Sequence, residues 1–356
     1  MKKHVAILLA LAAVLTFSAC GKGAETDTDT LAPQRPLTPY EEAVAYIEVG
    51  ELENAYYALR ELAEDGDEEA GAKLAEFSHG YLCRTVTDKN GKTETTVNTY
   101  SDEGELVLSQ TTYHDGSVRV YECTYSHYAP VSECTTYPNG DTLERTYTYD
   151  PDGRVRSVSS TSSGGYSYEY SYEYDSQGRT VRETFSDSDG ERSTTEYTYD
   201  GGRLMREVHT YALGETDVYE YSYDASGNRT HELRTYSGGL ADEYSFSYDG
   251  EGHLICETVE YSDGKTESYA YVYSDGRLTR EEHTFTDGSS EVYEYTYSEG
   301  RLALSRYTAE GESSEISYTY DGRGNTETEK RTASDGAVRT TEYSGYTVFY
   351  RGDKKA

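Results

Sequence analysis

The chain contains no tryptophan, two methionines and six phenylalanines in 356 residues. That excludes a large hydrophobic core of the ordinary kind. Its five cysteines are too few for a disulfide-scaffolded fold, and none forms the C-x-x-C spacing of a zinc site. Positive charge is scarce as well: 32 Lys and Arg stand against 66 Asp and Glu, a net charge of −34. A surface so acidic repels phosphate backbones and anionic headgroups, so no nucleic-acid partner is expected, while cationic partners or divalent ions are favoured. The sequence holds no Gly-x-Ser-x-Gly elbow, HExxH, P-loop or Rossmann fingerprint, and no carboxylate pair stands out from the rest. No catalytic residue and no metal-ligand set is assigned, and the chain reads as a non-enzyme.

One long apolar run exists, residues 5–17, preceded by Lys2 and Lys3. Thirteen residues suit the apolar stretch of a signal peptide and fall short of a bilayer span. The run leads into Phe17-Ser18-Ala19-Cys20-Gly21, which resembles the lipobox of bacterial lipoproteins, with Phe17 where an aliphatic residue is usual. The resemblance implies removal of the leader, residues 1–20, up to an acylated Cys20. The protein would then be extracytoplasmic and anchored to the bacterial cell membrane by its N-terminal lipid. An ordinary secretory signal with a chance cysteine is the alternative. Residues 21–37, rich in Thr, Asp and Pro, bury too little to offset chain entropy and read as a flexible linker.

Tyrosine takes the place of the missing apolar residues, with 40 copies at a mean hydropathy of −0.83. Such hydropathy suggests disorder, but the tyrosines are ordered. Residues 38–79 come first and read as helical. Thr38-Pro39-Tyr40-Glu41 is a capping box with proline at the first helical position. Leu52, Ala55, Leu59 and Leu62 keep helical spacing, and a third helix carries Ala70, Leu74 and Phe77. The run Gly50-Glu51-Leu52-Glu53-Asn54-Ala55 resembles a tetratricopeptide hairpin. One repeat and a half cannot make a superhelix, so the segment is taken as a cap.

From Gly80 to about residue 350, turn glycines recur every 24 or 25 residues (Gly153, Gly178, Gly202, Gly227, Gly252, Gly276, Gly300, Gly324), with a second series halfway between. Alternating turns about every twelve residues mean consecutive antiparallel hairpins, some 22 strands in all. Strands such as Tyr219-x-Tyr221-x-Tyr223, Tyr269-x-Tyr271-x-Tyr273 and Tyr293-x-Tyr295-x-Tyr297 set three rings on one face. The turn reads Tyr-Asp-x-x-Gly-Arg, as in Tyr149-Asp150-Pro151-Asp152-Gly153-Arg154, or one residue shorter, as in Tyr273-Ser274-Asp275-Gly276-Arg277. A glutamate recurs five residues past the glycine (Glu183, Glu207, Glu232, Glu257, Glu281, Glu329), and Arg182, Arg206 and Arg280 are taken as its partners.

This repeat resembles the YD repeats of the Rhs type, and the whole is similar to short repeat lipoproteins of anaerobic gut bacteria. Large Rhs-type members build a hollow shell around a toxic C-terminal segment; no such segment follows this array, so toxin delivery is not carried over. The expected fold is mainly β: tandem antiparallel hairpins of 24–25 residues forming a long, coiled or spiral sheet, preceded by the small helical segment. A flat sheet of 22 strands would be about 100 Å wide, and open sheets beyond ~10 strands curl.

Tyr219, Tyr221, Tyr223, Tyr269, Tyr271, Tyr293 and Tyr295 are candidate stacking residues for a glycan, a cell-wall polymer or a surface protein, against the alternative that such rings are simply core. Asp187-Ser188-Asp189-Gly190-Glu191 offers Ca²⁺-type oxygens without a full loop; otherwise no cofactor is expected. Cys123 and Cys134 flank a turn without glycine symmetrically, and a disulfide between them is a candidate lock. Cys83 and Cys256 are expected buried and free. Arg351-Gly352-Asp353, in a tail (351–356) taken as disordered, matches an integrin-binding tripeptide that also arises by chance. The function expected is that of a surface binding module, with a spacer protein as the alternative.

Overall fold

The computed structural model describes residues 37–350 other than Tyr128. Cys20, the leader, nearly all of the linker and the Arg351-Gly352-Asp353 tail lie outside the described residues. Two compact units divide the chain, one formed by residues up to Gly80 with those from Thr347 onward, the other by Tyr81–Tyr346.

In the first unit three helices follow one another: α1 (Pro39–Glu48), α2 (Leu52–Glu64) and α3 (Glu68–Leu74). The capping box forms, with Glu41 N–H donating to Thr38 Oγ1 at 3.2 Å and Thr38 N–H to Glu41 Oε2 at 2.8 Å. Asp67 caps α3 by accepting from the Ala70 amide. Ala43, Leu59 and Ala70 make a small core covered by Tyr40, Ile47, Leu62 and Phe77. Phe77 is not helical: it opens strand β1 (Phe77–Thr87), which also runs straight through Gly80, so that glycine is no turn.

The second unit is a single antiparallel meander. Among the described residues there are twenty-two strands from β1 to β22 (Val338–Tyr350), each paired with its neighbours in sequence. The open coiled or spiral sheet expected from the sequence is wrong: β1 pairs with β22, and the sheet closes into a barrel. At the closure Tyr81 meets Tyr343 edge-on at 5.2 Å, and the Cβ of Leu82 would lie 3.0 Å from a Cβ placed on Gly345.

One feature of the repeat accounts for the curvature. Ten hairpins carry a β-bulge, each where the last tyrosine or its equivalent pairs, as between Ser222 and Tyr223 or Thr198 and Tyr199. A bulge adds a residue to one strand, bends it and increases its twist. Placed at the same point of every second pairing, the bends accumulate in one sense, and closure then removes both exposed edges. The barrel would be roughly 40–48 Å across between backbones at ~4.8 Å per strand and the usual ~35–45° strand tilt.

The Tyr-Asp-x-x-Gly-Arg signature is the joint between repeats. The tyrosine hydroxyl donates to a carbonyl one repeat back: Tyr149 to Pro130 O at 2.6 Å, Tyr174 to Val155 O at 2.7 Å, Tyr223 to Leu204 O at 2.7 Å, Tyr248 to Arg229 O at 2.8 Å. The aspartate holds its own turn; Asp150 Oδ1 accepts from the amides of Asp152 and Arg154, and Oδ2 from the Arg154 side chain. The arginine reaches forward to the next repeat: Arg154 lies 4.8 Å over the Tyr174 ring and Arg179 4.5 Å over Tyr199. The shorter turns have two consecutive residues at positive φ (Gly201 and Gly202, Asp275 and Gly276, Glu299 and Gly300), the geometry of a type I′ hairpin that matches the strand twist.

Candidate functional site

Alternate residues along each strand point to opposite faces, and burial separates the two. On β12 (Thr216–Tyr223), Tyr219, Tyr221 and Tyr223 are half-buried while Glu220 and Ser222 are exposed; on β14 (Ala241–Tyr248), Tyr244, Phe246 and Tyr248 are covered and Glu243, Ser245 and Ser247 exposed. A closed single layer crowds side chains on its concave side and splays them on its convex side. The tyrosine face is therefore the inner one. Its rings remain only half-buried because the lumen of so wide a barrel is not filled from the opposite wall.

The outer wall is charged. Arg182 stands 4.0 Å from Glu196, Arg206 3.9 Å from Glu220 and Arg306 3.8 Å from Glu294, all substantially exposed. Lipid-facing arginine or lysine costs about 2–4 kcal/mol at the bilayer midplane.

The same pairs correct the sequence reading. Arg182, Arg206 and Arg280 precede Glu183, Glu207 and Glu281 by one residue, so they lie on the other face and cannot pair with them. Arg280 instead bonds Glu282 at 2.9 Å. The same parity defeats the disulfide. On β4 (Val118–Ser126) Cys123 is opposite Glu133 of β5 (Ala129–Thr136), and Cys134 is opposite Glu122. The two thiols point to opposite faces, and both are free. Cys83 and Cys256 are free but half-buried, not enclosed.

The seven candidate stacking tyrosines divide. Tyr223 belongs to the repeat joint described above. Tyr221 donates to Glu207 Oε1 at 2.7 Å, and burial, then that carboxylate, raise its hydroxyl pKa. Tyr219 packs edge-on to His209 at 4.9 Å, Tyr269 stacks on His283 at 4.1 Å, and Tyr293 lies 5.0 Å from Tyr307. Tyr271 and Tyr295 have no ring partner of this kind among the described residues. The hydroxyls of Tyr271, Tyr295, Tyr172 and Tyr197 make no hydrogen bond there either. Burial, then nearby glutamates, push Tyr271 and Tyr197 up to about 12, so both stay protonated donors.

Between these rings runs the glutamate row, which sequence spacing found without showing which way it faces. On strands β9 (Thr180–Asp187), β11 (Arg203–Tyr211), β13 (Arg229–Thr235), β15 (Leu254–Glu260) and β17 (Arg277–Thr284), the inner positions are Glu183, Glu207, Glu232, Glu257 and Glu281. Glu232 lies between Tyr221 and Tyr244 and is only 2 % exposed. Arg234 bonds its Oε1, while Arg229 Nη1 stands 2.8 Å from Oε2 as an ion pair whose angle falls short of a hydrogen bond. Glu257 makes no hydrogen bond or ion pair among the described residues; burial raises its pKa, and the charges of Arg229 and Arg234 nearby oppose that rise. Sequence reasoning missed Arg229 and Arg234, although Arg229 stands where other repeats carry Leu204, Leu254, Leu278 and Leu302.

Asp249, Glu251 and His253 bring three ligand-type atoms together. Asp249 Oδ1 accepts from the Glu251 and His253 amides and Oδ2 contacts His253 Nδ1 at 2.9 Å. Arg154, Arg179, Asn228 and Asn325 meet their turn aspartates in the same way, so the cluster is the ordinary turn with histidine in the last place. Asp187 likewise commits Oδ1 to the Asp189 and Glu191 amides and Oδ2 to the Tyr166 hydroxyl.

No family model matches the chain, and no curated protein does. Among solved structures, the TcdB2-TccC3-TEV crystal structure is similar at 16 % identity and a TM-score of 0.37, over 69 % of this chain and 15 % of that one. A porin-like protein from Bacteroides uniformis is similar at 16 % identity and a TM-score of 0.30, over 64 % of this chain and 94 % of that one. The chain thus spans about 15 % of the TcdB2-TccC3-TEV chain it matches.

Proposed function

We propose that the protein is a YD-repeat surface lipoprotein of the bacterial envelope, tethered through Cys20, and that it acts as a non-catalytic binding module through the inner, tyrosine-rich face of its barrel. Its ligand is a glycan, a cell-wall polymer or a protein. The observation that carries this reading is the division of labour among the tyrosines. One per repeat is spent on the joint, while others, Tyr271 and Tyr295 among them, keep a half-open ring and an unbonded hydroxyl on the concave face. Planar rings with a polar tip beside carboxylates suit ligands that stack and hydrogen-bond together.

A second reading, a structural spacer with no small ligand, is supported by the joint itself, which uses much of the signature for architecture. A glycan and wall-fragment array probed with full-length protein in mild detergent separates the two. The binding module predicts saturable capture that heat-unfolded protein lacks and that Tyr271→Ala with Tyr295→Ala weakens about tenfold or more, on the scale of stacking contacts. Absence of capture from every carbohydrate leaves a protein ligand or the spacer.

A further inference from the structure

We infer that Tyr81 and Tyr343 form an oxidative modification site, where a small one-electron oxidant joins the two rings as a dityrosine and locks the closed barrel covalently. The site bridges the first and last strands of the sheet. It rests on their pairing and is independent of any ligand on the inner face.

Tyr81 departs from the repeat. Its carbonyl accepts from the Tyr100 hydroxyl at 3.2 Å, the joint bond that elsewhere ends on residues such as Leu106, Val155, Leu204, Leu278 and Leu302. None of the other carbonyls that accept this bond among the described residues belongs to an aromatic residue. The repeat thus carries a ring at this place only where the barrel closes. That ring meets Tyr343 at 5.2 Å and 72°, and both are half-buried. Tyr343 has a proton acceptor of its own: its hydroxyl donates to Glu329 Oε1, on β21 (Thr326–Ala333), at 3.1 Å. Burial, then the charge of Glu329, raise the Tyr343 pKa, so the phenol starts protonated. Competing electron donors are few, since the chain has no tryptophan and Met205 is the single methionine among the described residues.

A protonated phenol gives up an electron readily only if its proton leaves too, and a carboxylate within hydrogen-bond reach takes that proton. Each phenol therefore loses one electron and its hydroxyl proton, that of Tyr343 to Glu329 and that of Tyr81 to solvent. The two phenoxyl radicals pair to form one carbon–carbon bond between ring carbons ortho to the oxygens. The hydrogens on those carbons then move to the oxygens, which restores both phenols. In all, two protons are released and two equivalents of the oxidant are reduced. The unfilled lumen leaves the rings room to turn from edge-on contact into the approach that bond formation needs. The new bond closes a covalent loop from residue 81 to residue 343, and the unfolded chain loses the freedom that this loop removes.

The test is a brief illumination of full-length protein in mild detergent with ruthenium tris-bipyridine and persulfate, each persulfate accepting two electrons to become two sulfates. Proteolysis and mass spectrometry then locate the links. Tyr293 on β18 (Ser290–Ser298) and Tyr307 on β19 (Arg301–Ala309), with rings 5.0 Å apart in one hairpin, calibrate the dose. A link between Tyr81 and Tyr343 should form within single molecules at a yield comparable to that pair. Tyr343→Phe should abolish it and leave the hairpin link unchanged. E329Q, which keeps the ring contact without the base, should slow it about tenfold or more. Linked protein should unfold at higher urea than unlinked protein from the same sample. Coupling of the hairpin pair alone, a link between Tyr81 and Tyr343 that is equally abundant in urea-unfolded protein, or one found only between molecules overturns the assignment.

Discussion

Replacing Arg229 and Arg234 together with methionine is expected to destabilise the barrel by about 3–5 kcal/mol, because it strands the Glu232 carboxylate in a buried site. Glu232 is 2 % exposed, and these two guanidinium groups are what covers and neutralises it. A charge left in such a place loses its hydration and gains nothing. The aromatic contacts of the arginine stems are lost as well. The account makes a sharper claim than loss alone. Changing Glu232 to methionine in the same protein should recover most of the stability, to within roughly 1 kcal/mol of wild type, since a buried ion cluster and an apolar cluster of similar volume are nearly equivalent. Urea unfolding, read through the midpoint at constant slope, measures both. A triple variant as unstable as the double would show that the arginines act by packing and that the carboxylate is not the buried liability proposed.

The second large effect separates the two classes of tyrosine. Tyr149, Tyr174, Tyr223 and Tyr248 each donate to a carbonyl of the preceding repeat, and a net ~1 kcal/mol is typical for such a bond. The four joints are well separated, so the quadruple Tyr→Phe variant should lose about 4 kcal/mol. The quadruple Tyr→Phe change at Tyr172, Tyr197, Tyr271 and Tyr295 removes as many hydroxyls, yet none of these is hydrogen-bonded among the described residues. Stability should then stay within about 0.5 kcal/mol of wild type. Ligand capture should respond in reverse, with the second set weakening it while the protein stays folded. Equal destabilisation by the two sets would mean that the division between joint and open tyrosines is not real, and the binding face would lose its main support.

Much of the barrel wall was legible in the sequence. Turn glycines at a fixed period give the hairpins, and Tyr-x-Tyr-x-Tyr gives the face. What a repeat unit cannot state is whether its array closes. Closure depends on how far each bulge bends the sheet, summed over ten bulges, and on whether the last strand meets the first in register. The sequence gives no sign of a bulge beyond the odd residue after each turn arginine. Side-chain parity was legible and was misread in two places. Arg182 and Glu183 are neighbours in sequence and hence strangers in a strand, and Cys123 and Cys134 are symmetric about their turn only before the bulge between Thr124 and Tyr125 shifts the count. The glutamate row was found by its period, but its inward direction and the Arg229–Glu232–Arg234 cluster needed the register between strands.

Closure of the barrel is the claim on which the inner face depends, and crosslinking across the seam tests it directly. Tyr81 and Tyr343, whose rings lie 5.2 Å apart, are changed to cysteine in a protein whose Cys83, Cys123, Cys134 and Cys256 are alanine. A short bifunctional thiol reagent should then link the two in good yield within one molecule, while either single variant takes only one end of it. In an open sheet the first and last strands stand far apart, up to about 100 Å when flat. Both cysteines would be alkylated separately with no crosslink, and the barrel, with its enclosed tyrosine face, would be contradicted.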